Sequence, residues 1–296
     1  MDYPIKTIDI ASSALLPKVN SLLRETFGSD IDEGRLLLTT RTNSGSESLY
    51  LAAFDGDEVV GFNAFISHDL QLNGSEINCY QCCWIATKKE YRGRDVFWNL
   101  VETAKRLLAE RGAAFIFCFP NSNSRPIFIG RLGFREVPSL KWQVPNIPIV
   151  RDLYVRSPRT DMAKLSKMSI MQNGRQLIDL KRKQYKDELL ICERDKSFIW
   201  GVERKKRKYG INVKYFEIGG MFFDQVDDAH HLFRDLCRKV GKVQYFQLTT
   251  SEGSSYNTFL HNLKPAQTND LIIYDLNLNT SDGIRFNFFG GVKDVF

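Results

Sequence analysis

Residues 77–134 constrain this chain more than any other stretch. They read in order as strand, Gly- and Arg-containing turn, helix, short strand and short helix. The helix is patterned over 96–111, where Phe97, Leu100, Val101, Ala104, Leu107 and Leu108 fall on one stripe at helical spacing. Gly112 stands where a helix takes its C′ residue. The apolar run 113–119 is best read as a buried strand lying parallel to 77–87. The turn, Tyr91-Arg92-Gly93-Arg94-Asp95-Val96-Phe97, opens directly onto the helix. Such a loop presents free backbone N–H groups and the positive end of a helix dipole. It suits a phosphate-bearing ligand, and Arg92 and Arg94 stand beside it.

Upstream, residues 14–27 are patterned as a helix, with Leu15, Val19, Leu22, Leu23 and Phe27 apolar. Residues 49–54 and 58–66 are strand-like, and Asp55-Gly56-Asp57 is the hairpin turn between them. Asn73-Gly74 is a second turn, so the chain makes an antiparallel meander up to the Arg-Gly loop. Downstream, 126–132 reads as a short helix closed by Gly133, and 135–144 as a strand. Pro138, Pro145 and Pro148 punctuate its exit, which places a domain boundary near residue 147.

The second half repeats this order. Ala229, Leu232, Phe233, Leu236, Cys237 and Val240 make a helical stripe that ends at Gly241. A strand at 242–249, a Ser/Gly turn and a helix at 256–263 follow. Gly112 aligns with Gly241, and 115–119 with 244–248, at an offset of about 129 residues. The expectation is a mixed α/β fold whose central sheet, mostly antiparallel, is flanked by helices and is duplicated: one domain at 1–146 and a degenerate copy at 147–296.

At 296 residues there is room for two ordinary domains, and 43% hydrophobic content supports a full core in each. No run of about 18 apolar residues occurs, so no membrane span is expected. Met1-Asp2-Tyr3-Pro4-Ile5-Lys6 lacks a basic region followed by an apolar block, which argues against a secretory signal. Cys79, Cys82, Cys83, Cys118, Cys192 and Cys237 sit mostly in apolar segments, as reduced thiols in a cytoplasm do. No second pair answers Cys79-x-x-Cys82, whose side chains diverge in a strand, so no metal site is expected. His230 and His231 diverge by roughly 100° on a helix and make no ligand pair. The net charge of +6 fits anionic ligands such as coenzyme A or nucleotide sugars and does not demand nucleic acid. The run Arg204-Lys205-Lys206-Arg207-Lys208 reads as a solvated hairpin tip between 198–203 and 211–218, with a polyanion contact as the alternative.

The order helix, meander, Arg-Gly loop, helix, strand, helix, Leu-Gly-Phe resembles the GCN5-related N-acetyltransferase (GNAT) superfamily. Tyr91, Arg92 and Gly93 match that family's loop, with Arg94 in a commonly basic position, and Leu132-Gly133-Phe134 matches its later signature. Residues 14–144 carry the resemblance; the second half resembles the fold only. The resemblance implies that Arg92, Gly93, Arg94, Asp95, Val96 and Phe97 hold the diphosphate of acetyl-CoA or another acyl-CoA as co-substrate. It implies that Ile85, Ala86 and Thr87 border the pantetheine arm in a split between 77–87 and 113–119. Asn121 and Asn123 would orient substrate or pantetheine amides. Glu90, Asp95 and Phe97 depart from the usual motif. Asp95 brings a carboxylate toward the diphosphate, to be neutralised by Arg92 or Arg94, and can serve as a helix N-cap. No tyrosine stands on 126–132 to protonate the leaving thiolate, whose pKa of roughly 8–9 makes it a fair leaving group unaided.

Acyl transfer to an amine needs a neutral amine, an N–H for the thioester oxygen and in-line placement. Tyr80, Glu76 and His68 are the candidate bases, with Tyr80 or Glu76 preferred. The leading expectation is a cytoplasmic, CoA-dependent N-acyltransferase acting on a primary amine. The C-terminal segment 284–296 resembles the closing segment of bacterial double acetyltransferase-like proteins found with surface-polysaccharide synthesis. That resemblance and the basic balance imply a nucleotide-linked amino sugar as acceptor, with an amino acid, an antibiotic or a protein amine as alternatives. Neither DNA nor a membrane is expected as a partner, and oligomeric state is open. Two rivals stand: an aminoacyl-tRNA-dependent (Fem-like) transferase using Lys181-Arg182-Lys183 with 204–208, and a non-catalytic binding protein of the same fold.

Overall fold

The computed structural model describes residues 3–12, 14–28, 36–37, 46–72, 75–147, 169–172, 174–185, 188–208, 210–224, 226–252, 254, 257, 260, 263–278 and 285–287. The expected turn at 73–74, most of the expected helix 256–263 and most of the segment 284–296 lie outside these residues. Two compact units are present. The first comprises Met1–Leu70, Ile77–Glu136 and Asp270–Thr280; the second comprises Gln71–Glu76, Val137–Asn269 and Ser281–Phe296.

The chain begins with β1 (Ile5–Thr7), α1 (Leu16–Phe27), β2 (Leu49–Asp55), β3 (Glu58–Leu72) and β4 (Ser75–Thr87). A single 3₁₀ turn at Lys89–Tyr91 leads to α2 (Val96–Glu110), β5 (Phe115–Cys118), α3 (Arg125–Gly130) and β6 (Arg135–Pro145). β1, β2 and β3 pair antiparallel, with Ile5 opposite Ala53 and Leu51 opposite Asn63. β4 and β5 pair in parallel, as expected, from Tyr80 opposite Ile116 to Cys82 opposite Cys118.

Alternation along the strands sends side chains to two separate cores. Val96, Leu100, Val101, Ala104 and Leu108 of α2 pack with Val60, Phe65, Tyr80 and Cys82 on one face. Val19, Leu22 and Leu23 of α1 pack with Phe62, Ala64, Ile66 and Cys83 on the other. Each large aliphatic side chain so buried contributes about 1.5–3 kcal/mol. One position sets how closely α2 approaches. A Cβ on Gly61 of β3 would lie 2.5 Å from Cγ1 of Val96, so only glycine admits the first residue of α2 there.

In the second unit follow β7 (Ser169–Gln172), α4 (Gly174–Tyr185), β8 (Leu189–Arg194), β9 (Ser197–Lys208), β10 (Ile211–Phe222), α5 (Val226–Lys239) and β11 (Tyr245–Ser251). β8, β9 and β10 form an antiparallel ladder, β11 is parallel to β10, and β6 is antiparallel to β11. Both units thus contain a strand–helix–strand whose strands run parallel: β4–α2–β5 and β10–α5–β11. The basic run 204–208 is not a hairpin tip. It is the end of β9, laddered to β10 from Arg204 opposite Tyr215 to Lys208 opposite Ile211.

The chain then forms β12 (Ala266–Asp275) and β13 (Arg285–Asn287). β12 enters the first unit antiparallel to β5, with Ile272 opposite Cys118 and Asp275 opposite Phe115. The mixed α/β architecture with a mostly antiparallel sheet is the one expected. No helix among the described residues is long and apolar enough to cross a membrane.

Candidate active site

β4 and β5 share a register only over Tyr80–Cys82, and β5 ends at Cys118 while β4 continues to Thr87. The backbone changes hand where they part: Trp84 has φ 52. Cys82 and Ile85 pack toward α2, whereas Cys83, Trp84 and Ala86 pack toward α1. Strict alternation cannot give that distribution, so an extra residue is accommodated at 83–84 as a bulge. A left-handed tryptophan costs about 1–3 kcal/mol, and such strain clusters at functional sites. Residues 83–87 therefore line β4 with no β5 partner in the ladder.

The Arg-Gly loop follows at once. Gly93 has φ 77, which its lack of a Cβ allows. Nε of Arg92 donates to the Thr87 carbonyl at 3.2 Å. A terminal nitrogen of Arg94 donates to the Tyr3 hydroxyl at 3.1 Å, and the guanidinium lies 5.5 Å over the Tyr91 ring. The Tyr91 hydroxyl donates to Asp55 at 2.8 Å, and that hydrogen bond to a carboxylate is the main reason its pKa is raised. Neither Arg92 nor Arg94 is ion-paired to a carboxylate among the described residues.

Asp95 occupies the N-cap position of α2 with φ 58, yet its side chain makes no capping bond. Nor do Arg92 or Arg94 neutralise it. Its carboxylate pairs instead with Arg131 at 3.0 Å. The first intrahelical donor is Asn99, bonded to the Asp95 carbonyl at 2.8 Å. The N–H groups of Val96, Phe97 and Trp98 thus lack an intrahelical acceptor and carry the dipole's positive end. The Phe97 ring is engaged edge-on with Phe128, centroids 5.2 Å apart.

The structure brings Ile85, Ala86 and Thr87 into sequence-continuous order with the loop 92–97. It does not bring the expected bases there. Tyr80 is fully buried in the α2 core, and its hydroxyl donates to the Glu47 carbonyl at 3.2 Å. Its ring lies in the apolar core and its hydroxyl is taken up by a backbone carbonyl. Glu76 is exposed at the opposite end of β4 from Trp84–Thr87. The His68 ring lies 5.4 Å from that of Phe117. Asn121 Oδ1 accepts from the Asn123 and Ser124 N–H groups at 3.0 and 2.9 Å, a local cap at the start of α3, while Asn123 is exposed. Leu132-Gly133-Phe134 is packing too. Lys105 Nζ donates to the Leu132 carbonyl at 2.6 Å, and Phe134 packs 4.8 Å from Phe128. Arg131, Tyr3 and Gly61 were not singled out in the sequence. Only Gly61 left a signal, as a glycine inside an apolar strand.

The matching helix start in the second unit has the opposite electrostatics. Asp227 and Asp228 occupy the first turn of α5. Asp228 is buried, accepts from Ser197 Oγ at 2.5 Å and pairs with Arg194 at 3.4 Å. A phosphate there would meet carboxylates. In the run 181–183, Lys181 is buried near the Tyr185 ring and Arg182 pairs with Asp179 and Glu193.

Residues 7–137 match the family model for the acetyltransferase (GNAT) domain. A GCN5-related N-acetyltransferase from Anabaena variabilis is similar in structure, with a TM-score of 0.66 at 12% identity over 95% of this chain and 75% of that one. One from Kribbella flavida gives 0.63 at 13% identity over 96% and 74%. The N-myristoyltransferase of Saccharomyces cerevisiae, solved with bound myristoyl-CoA, gives 0.52 at 10% identity over 92% and 82%. At these identities the likeness is one of fold. No curated protein matches the chain in sequence.

Proposed function

This chain carries a GNAT acetyltransferase domain across residues 7–137, and from that premise we propose that it is a CoA-dependent N-acetyltransferase acting on a primary amine. One observation supports this reading above the others. A helix start whose first N–H groups lack an intrahelical acceptor, beside two guanidiniums that pair with no carboxylate among the described residues, lies directly after a strand that has left its parallel neighbour.

The residues fit the diphosphate of acetyl-CoA. Val96, Phe97 and Trp98 offer N–H groups, and Arg92 and Arg94, held by a carbonyl, a hydroxyl and the Tyr91 ring, can turn to phosphate oxygens at little cost. Arg131 answers the charge of Asp95, the one carboxylate at the helix start. When bound, acetyl-CoA supplies a thioester: the amide C–N bond forms, the C–S bond breaks, and one amine proton is carried net to the thiol. Ile85, Ala86 and Thr87 border the arm, and the backbone N–H groups beside the Trp84 bulge serve the carbonyl oxygen. A bulge fixes such a donor without a side chain, which is why no residue type announces it. The acceptor we propose is an amino sugar.

Titration calorimetry with acetyl-CoA, coupled to mass-spectrometric detection of N-acetylated product, tests the reading. The wild type is expected to bind, and Arg92→Ala and Arg94→Ala each to weaken binding about tenfold. Absence of binding, or equal binding by all three proteins, overturns it.

A further inference from the structure

Two buried polar atoms on one face of the split have no partner among the described residues: Gln81 Oε1 and Trp84 Nε1. Gln81 as a whole is 3% exposed. It stands opposite Phe117 at the last rungs that β4 and β5 share. Buried polar groups are nearly always hydrogen-bonded, and leaving one bare costs about 1–3 kcal/mol. A protein that keeps two at the edge of a strand split holds them ready for a ligand, or is strained for nothing.

The two atoms lie on the same side. Tyr80 and Cys82 pack toward α2, so Gln81 between them points to the opposite, α1 face. The bulge then turns Trp84 onto that face as well, where it packs with the α1 core. Three residues of strand separate the two, about 10 Å along the backbone. One atom accepts a hydrogen bond and the other donates one, and neither side chain titrates. Aromatic rings lie beside them: Phe27 stands 6.2 Å from Trp84 and is 46% exposed, and Phe117 and Phe119 are 6.3 Å apart.

We propose that Gln81 and Trp84 are positioning residues for the acceptor, and that the segment they hold is neutral, hydroxyl- or amide-bearing and able to lie on aromatic rings, as the ring of an amino sugar is. This rests on the acetyltransferase reading. Gln81 and Trp84 offer hydrogen bonds without charge, so neither side chain compensates a carboxylate or a second ammonium that is desolvated against them, and the pair favours a neutral group. Gln81 is an amide and takes no proton; it accepts an N–H or O–H of the acceptor and fixes its angle of approach.

The probes are glucosamine, glutamate and spermidine, assayed with acetyl-CoA on the full chain. Glucosamine is expected to be acetylated at least about tenfold faster than either charged amine. Gln81→Met, which keeps the volume, and Trp84→Phe, which keeps the ring, are each expected to raise the KM for glucosamine about three- to tenfold. Acetyl-CoA affinity stays unchanged, and the Tm of Gln81→Met does not fall, because an orphan carbonyl has been removed. A purely structural glutamine would lower the Tm and leave KM alone. Unaltered KM in both variants, loss of acetyl-CoA affinity, or glucosamine untouched overturns the proposal while wild-type binding of acetyl-CoA still upholds the reading beneath it. If acetyl-CoA does not bind at all, both fall.

Discussion

The guanidinium of Arg131, at the end of α3, lies 3.0 Å from the carboxylate of Asp95 at the start of α2. This pair links the two sequence motifs of the first unit, the Arg-Gly loop and the turn before Leu-Gly-Phe. It also disposes of the carboxylate that would oppose a diphosphate. Both side chains are more than half exposed, at 56% and 55%, so the pair adds little to stability. Its value is electrostatic. Arg131→Ala is expected to leave the Tm within measurement error and to weaken acetyl-CoA binding about two- to fivefold at low salt. Asp95→Asn in the same chain restores affinity. A double variant no tighter than Arg131→Ala shows that Asp95 does not face the ligand.

Gly61 carries the approach of α2 to the sheet. In Gly61→Ala the new methyl would meet Val96 Cγ1 at 2.5 Å and Leu100 Cδ1 at 3.1 Å. Valine at the first turn has little rotamer freedom with which to retreat. Overpacking of this kind costs about 1–3 kcal/mol. Differential scanning calorimetry should show a lower Tm, and acetyl-CoA affinity should drop with it, because the displaced residue opens the turn proposed to hold the diphosphate. Adding Val96→Ala should recover both. A Gly61→Ala protein with unchanged Tm removes the close-packing account.

These relationships show what local pattern reveals. The helix 96–110, its parallel flanking strands and the Leu-Gly-Phe turn are legible because periodicity, an Arg-Gly turn and a glycine stop lie within a few residues of one another. The bulge at Trp84 is not legible: tryptophan is among the residues least suited to positive φ, and tertiary packing imposes it. The pairing of β12 with β5 joins residues 115–118 to 272–275 and leaves no mark in either segment. Tyr80 looked chemical because a tyrosine on a central strand is either packed or poised, and alternation alone does not say which face meets α2. The basic run 204–208 looked like a turn because charge usually marks solvent, yet a strand edge tolerates it as well.

Lys105 is buried, and three engagements hold its ammonium most closely. It donates to the Leu132 carbonyl at 2.6 Å, pairs with Glu102 at 2.6 Å and sits 4.0 Å over the Tyr274 ring. It thereby ties α2 to the Leu-Gly-Phe turn and to β12. Lys105→Met keeps the apolar stem but strands a buried carbonyl, for an expected loss of about 1–3 kcal/mol in urea unfolding. Acetyl-CoA affinity should be untouched, since Lys105 lies within the body of α2 and away from its first turn. An equally stable variant would mean that water donates to the Leu132 carbonyl in place of the ammonium.

Thiol chemistry gives a test of the strand packing that needs no ligand. None of the six cysteines is in a disulfide; five are buried and Cys237 is half-buried on α5. Cys79 is the extreme case. Burial pushes its thiol well above the ordinary value, nearby Asp69 adds to the shift, and its sulfur bonds to the His68 carbonyl. The thiolate is the reactive form, so a raised pKa and lack of access both suppress alkylation. Native protein treated with iodoacetamide at neutral pH should therefore be modified first at Cys237, with Cys79 modified only after unfolding. Raising the pH to about 9 should leave Cys79 protected, because its thiol stays protonated there. Peptide mapping that found Cys79 labelled in the native state at a rate near that of Cys237 would show that β4 is open at Cys79, and the two-core packing around that strand would have to be redrawn.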